Sequence, residues 1–113
     1  MTQERTGNLG ISTGSISNKH ANISSVDPSS YVRKCGRTVE FLTNVRLSGD
    51  IGVNTAIFTL PYKPSTTAIG FMSQQGAVYQ TEISANGVVS CPWNVSSAAK
   101  IRALYFGSYL TND

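Results

Sequence analysis

An all-β domain, built as a small antiparallel β-sandwich or barrel, is the fold this sequence predicts. Three observations support it. Thr38 to Leu47 alternates apolar and polar residues with a period of two, as a half-buried strand must. Charged residues make up only 13% of the 113 residues, against roughly 25% in soluble domains. Polarity comes instead from Thr, which fits pleated strands, and from Ser, Asn and Gly, which fit turns. Finally, no segment repeats its apolar residues at helical spacing.

The length suits one domain, because two halves would each be too small for a core. Residues 1–30 are polar, with isolated apolar positions at Leu9, Ile11, Ile16, Ile23 and Val26. That spacing predicts an N-terminal arm or linker stub with one or two short strands, ending at the Asp27-Pro28 turn. Residues 31–113 are expected to form the main domain.

Within it, Tyr31 to Cys35 is a short strand, and Cys35-Gly36-Arg37 a tight turn. In Thr38 to Leu47 the odd residues, Val39, Phe41, Thr43, Val45 and Leu47, should face the core. A slip of one residue would bury Glu40 and Arg46 instead, so the register is well specified. Ser48 to Gly52 is a loop. Ala56 to Leu60 is a strand stopped by Pro61, and Pro61 and Pro64 bracket a stiff turn at Tyr62-Lys63.

Thr67 to Ser73 follows, with Ile69 and Phe71 alternating, and Gln74-Gln75-Gly76 turns the chain. Ala77 to Ser84 sets Ala77, Tyr79, Thr81 and Ile83 against Val78, Gln80 and Glu82. Asn86-Gly87 then predicts a type I′ hairpin into Val88 to Cys91, since both turn positions need positive φ. Trp93 to Ala99 reads as a loop or a single helical turn. Lys100 to Tyr109 is the last strand. Both of its faces are fairly apolar, so it is expected to be buried on both, one against the core and one against a neighbouring subunit.

The chemistry-bearing residues are sparse. The lone histidine, His20, is expected to be solvated in the polar arm, where no partner would orient it as a general base. No Cys/His cluster has zinc-ligand spacing, so no metal and no cofactor are expected. Six acidic residues show no spacing that pairs them across a glycosidic bond, and catalysis is not expected. The net charge is +3, with one basic cluster at Arg33, Lys34 and Arg37 that reads as a solvated edge. No nucleic-acid partner is expected from it.

No run of about 18 apolar residues exists, so no membrane insertion is expected. Residues 1–10 lack the apolar segment of a secretory signal, so Cys35 and Cys91 are expected as free thiols.

Binding is better supported. Trp93 lies in a loop beside Pro92 and Asn94. An aromatic face flanked by amide groups can stack on the C–H face of a sugar and hydrogen-bond its hydroxyls. A tryptophan there can equally plug one end of the core. Tyr79 with Gln80 carries the same two readings, with the alternation placing Tyr79 on the core side. The candidate ligand-binding residues are therefore Trp93, Asn94, Tyr79 and Gln80.

Residues 37–110 resemble the C-terminal head (knob) domain of bacteriophage tail fibres and receptor-binding proteins. The order of elements carries the resemblance. It runs from GRTVEFLTNVRLSG at Gly36 to Gly49, through the corner IFTLPYKP at Ile57 to Pro64 and the hairpin Ile83 to Val88, to IRALYFGSYLT at Ile101 to Thr111. The Thr59-Leu60-Pro61 corner is its most specific part. The resemblance implies a homotrimeric head domain at a virion tail tip or baseplate. Such a head would contact other phage tail proteins and a host cell-surface polysaccharide. A structural virion protein, in a baseplate or as capsid decoration, shares the same strand pattern.

Overall fold

The alternation of Thr38 to Leu47 sets the architecture. In a computed structural model that describes residues 11–93, 95 and 102–113, this segment is the longest strand of an all-β fold. The strands are β1 (Ile11–Gly14), β2 (Ile23–Val26), β3 (Tyr31–Cys35), β4 (Thr38–Leu47), β5 (Ala56–Thr59), β6 (Ala68–Gln74), β7 (Ala77–Ile83), β8 (Val88–Ser90) and β9 (Arg102–Leu110). They form one antiparallel sheet in the order β1-β3-β4-β9-β6-β7-β8-β5, with β2 paired to β4. The sheet curls into a half-barrel.

Val39, Phe41, Thr43, Val45 and Leu47 all face inward and are buried, as the register argument requires. β4 pairs along nearly its whole length with β9, from Thr38 opposite Leu110 to Arg46 opposite Arg102. Inside the curl, Phe58 meets Tyr105 edge-on with ring centroids 5.3 Å apart. Ile51, Ile57, Val89 and Ile83 fill the space around them with no exposed surface.

Residues 11–30 carry two short strands and a strap between them. β1 pairs with β3 and β2 with β4. Between them, Ser17 exchanges backbone hydrogen bonds of 2.9 and 2.8 Å with Thr59, and the His20 N–H donates to the Ile57 carbonyl at 2.8 Å. The strap therefore lies along β5, at the far end of the strand order. His20 is not the solvated side chain expected from its polar neighbours. It is half-buried, and its Nδ1 accepts the Asn22 N–H at 2.9 Å. A polar sequence has been drawn into the fold by its backbone groups, which need partners there.

The Pro-bracketed corner docks on the end of β9. Tyr109 Oη donates to the Tyr62 carbonyl at 2.6 Å, the Asp113 carboxylate accepts the Lys63 N–H at 2.7 Å, and the Ser65 N–H reaches the Leu110 carbonyl at 2.9 Å.

The turns depart from expectation at one point. Asn86 does not have positive φ; of the two residues only Gly87 does, at +84°. The Gly87 N–H donates to the Ser84 carbonyl at 2.8 Å, and the Ser84 N–H to the Val88 carbonyl at 3.0 Å. The loop is thus Ala85-Asn86-Gly87, a three-residue hairpin loop whose glycine takes the left-handed position. The two-residue turn with positive φ at both positions occurs instead at Gln75 (52°) and Gly76 (78°), which join β6 to β7.

Gly87 is required twice over. Its φ disfavours any Cβ, and a Cβ would lie 2.9 Å from the Leu60 carbonyl oxygen. Gly87→Ala is expected to cost about 1–3 kcal/mol in urea unfolding. An unchanged midpoint would show that the hairpin relaxes freely.

Candidate functional site

β7 is paired with β8 only at Glu82 and Ile83. Its first half is therefore an edge on that side, with no strand paired to it among the described residues. Tyr79 lies on the inner face, in register with buried Met72, as its alternation indicates. It is nevertheless 37% exposed, because the row of inner side chains ends at it. Gln80 beside it is exposed on the outer face.

The chain returns to this end after β8. Cys91 Sγ sits 4.0 Å from the Gln80 carbonyl, and the Cys91 carbonyl accepts the Asn54 N–H at 2.8 Å. Trp93, two residues on, is 56% exposed. It does not plug the core; that space is taken by Val95, which bridges Ile51 with paired 2.9 Å backbone bonds and is fully buried. Trp93, Tyr79 and Gln80 thus gather at one end of the sheet, with exposed Val53 and Val78 nearby in the fold. Asn94 lies outside the described residues.

A second surface joins residues that are scattered in the sequence. On the outer face, Tyr31, Leu42, Phe106, Phe71 and Gln80 form a single row across β3, β4, β9, β6 and β7. Phe71 and Phe106 stack with centroids 5.8 Å apart. Ile69 (52% exposed) and Leu104 flank the row. The expected burial of β9 on both faces is therefore only half realised in a single chain. Ala103, Tyr105 and Tyr109 are buried, Leu104 and Phe106 are half-buried, and Arg102 and Ser108 are exposed. Among the described residues, no element crosses the outer face to cover them.

The basic cluster is engaged within the chain. Arg33 pairs with Glu40 at 2.8 Å and lies 4.1 Å over the Tyr31 ring. Lys34 donates to the Asp113 carbonyl at 2.9 Å, and Arg37 to the Thr111 carbonyl and Asn112 Oδ1 at 3.2 and 3.0 Å. Among the described residues, no group of three or more His, Cys, Asp or Glu side chains is gathered as a metal site would need.

The two cysteines are apart and unbonded, Cys35 exposed and Cys91 buried. Burial pushes the Cys91 thiol up, against a smaller opposing effect of the Trp93 backbone N–H. A raised thiol holds little thiolate at neutral pH and reacts slowly. In the native protein, Cys35 is expected to react with DTNB and Cys91 only after unfolding. Rapid reaction of both would contradict this.

No protein-family model and no curated protein matches the chain.

Proposed function

We propose that the chain is the receptor-binding head of a phage-type tail, a homotrimer that attaches to a saccharide on the host cell surface. It binds rather than catalyses. The observation that carries this reading is the exposed aromatic pair at one end of the sheet, Trp93 and Tyr79, with the Gln80 amide on the adjoining outer face. Aromatic faces next to amide donors and acceptors suit the alternating C–H and O–H surface of a sugar.

The strand order from Gly36 to Thr111, with its Thr59-Leu60-Pro61 corner, supports the same assignment by resemblance. Location at a virion tail tip or baseplate, beside other tail proteins, belongs to it. The apolar outer face supplies a surface for subunit contact, and several identical weak sites on one tip gain avidity.

The same outer face favours a second reading, a baseplate or capsid-decoration protein without a receptor role. Labelled antibody on intact particles separates the two, since capsid labelling would favour the second.

The binding reading is tested on an array of bacterial envelope polysaccharides. Trp93→Ala is expected to lower binding at least about tenfold, as loss of an exposed aromatic anchor does. Its thermal unfolding should barely move, because the side chain is largely outside the core. Absence of any polysaccharide binding, or a variant that binds as the parent does, would count against the proposal.

A further inference from the structure

Among the described residues, the strand order leaves β1 and residues 77–80 of β7 without a strand on one side. β5, at the far end of the order, is instead lined by the strap. Hydrogen-bond alternation tells which backbone groups of the two open stretches point outward. The Ser84 N–H donates to the Val88 carbonyl, so Ser84 faces β8, and every second residue before it, Glu82, Gln80 and Val78, faces the same side. The Gln80 carbonyl indeed meets Cys91 Sγ there. On the other side of the molecule, the Thr111 N–H donates to the Arg37 carbonyl, so Arg37 faces β9 and Thr38 faces β3. Thr38 is paired with Cys35, so Lys34 and Val32 are the β3 residues that face β1, and their partners are Ser12 and Gly14. Ile11 and Thr13 therefore point their N–H and C=O groups out of the sheet.

Neither stretch is protected. Sheet edges are usually blunted by charges, proline or a bulge. Residues 11–14 and 77–80 contain no charged residue and no proline, and the β1–β3 and β6–β7 registers run without a shift. Their side chains are open as well, with Ile11 48% and Val78 60% exposed.

The two stretches match each other. β1 is four residues long, the same length as the open part of β7. Ile11 and Thr13 lie opposite Cys35 and Arg33, on the outer face, as do Val78 and Gln80 on β7. An antiparallel pairing sets Ile11 opposite Gln80 and Thr13 opposite Val78 of the next subunit. All four then bond through the groups that point outward, and Ile11 joins the apolar outer face already assigned to subunit contact. On the inner face β1 brings only Ser12 and Gly14, so the Tyr79 ring beside them is left open to a ligand. No like charges meet.

We infer that β1 of one subunit pairs with the open half of β7 in the next, and that this head-to-tail joint closes the ring of subunits. A ring of three requires a contact between two different surfaces of the chain, and these edges are two such surfaces. The inference rests on the homotrimer of the reading above and names its joint.

The test is light scattering of the full chain and of two variants, Thr13→Pro and Val78→Pro. Each proline removes one outward N–H and no bond of the chain's own ladder, so melting and circular dichroism should stay near those of the parent. Should a proline unfold the chain, Thr13→Lys and Val78→Lys, charges placed on the same edges, replace it with the same expectations. The parent is expected to be a trimer at micromolar concentration. Each variant should associate at least about tenfold more weakly, since the ring repeats the defect at every joint. A concentrated equimolar mixture of the two should give a heterodimer absent from either alone, because Val78→Pro keeps a sound β1 and Thr13→Pro a sound β7.

Folded variants that remain trimeric would overturn the joint and leave the homotrimer standing. So would dissociation of Val78→Pro alone, which would point to β7 pairing with its own copy, or of Thr13→Pro alone. A mixture without heterodimer would overturn the head-to-tail pairing. A parent chain that is not a trimer would remove both the joint and the homotrimer.

Discussion

Phe58→Ala is expected to destabilise the protein by about 3–5 kcal/mol, the range for truncating a fully buried aromatic ring. Phe58 has no exposed surface and meets Tyr105 edge-on, so the substitution removes both its burial and a ring–ring contact. It sits where a bulge interrupts the β5–β8 pairing, so the loss falls at a junction already short of ladder bonds. Domains of this size are stable by only about 5–15 kcal/mol. A large part of that margin would go, and Tm should fall by roughly 10–25 °C.

Phe58→Leu keeps most of the volume and should cost under about 1.5 kcal/mol. Urea unfolding of both variants checks the pair. A loss for Phe58→Ala below about 1 kcal/mol would mean that the core closes around the gap, contrary to the usual rigidity of packed interiors.

The double variant Phe71→Ser, Phe106→Ser is expected to convert an oligomer into monomers under light scattering at micromolar concentration. The expectation follows from the proposed subunit contact on the outer face. There the two rings stack in the open, between Leu42 and Ile69. Aromatic anchors at the centre of a contact carry much of its binding energy, and losing two of at least about 2 kcal/mol each weakens association by roughly a thousandfold. Monomer stability should change far less than for Phe58→Ala, because Phe71 is 41% exposed. A parent chain that is monomeric at that concentration would refute the subunit contact itself.

Much of the fold is legible in the sequence because strand patterning is local. The inward set of β4 follows from its period of two, and the ends of β3, β5 and β7 fall within a residue or so of their turn residues. The hairpin after β7 is also legible, but its geometry is not. Asn86-Gly87 carries the signal for a two-residue turn, yet the chain closes around three residues. There the Gly87 carbonyl accepts the Leu60 N–H, so a long-range contact fixes the loop. The candidate site is legible only as residue types. The alternation places Tyr79 on the inner face, but its exposure depends on how soon β8 ends. Thr43 is legible as a core position. That its hydroxyl lacks a partner is not, because it is set by a neighbour far along the chain, Tyr105, whose hydroxyl is unpartnered too.

The sequence by itself determined the all-β class, the buried face of β4 and most of the strand bounds, because those depend on side chains two residues apart and on turn residues beside them. The tertiary structure alone decided which strands are neighbours, which faces stay open, and that Trp93 and Tyr79 share an end. The reason is physical. A face is buried only if some other part of the chain covers it, and the covering segment is fixed by backbone pairing between residues far apart in sequence, such as Ser17 with Thr59 and Ile51 with Val95.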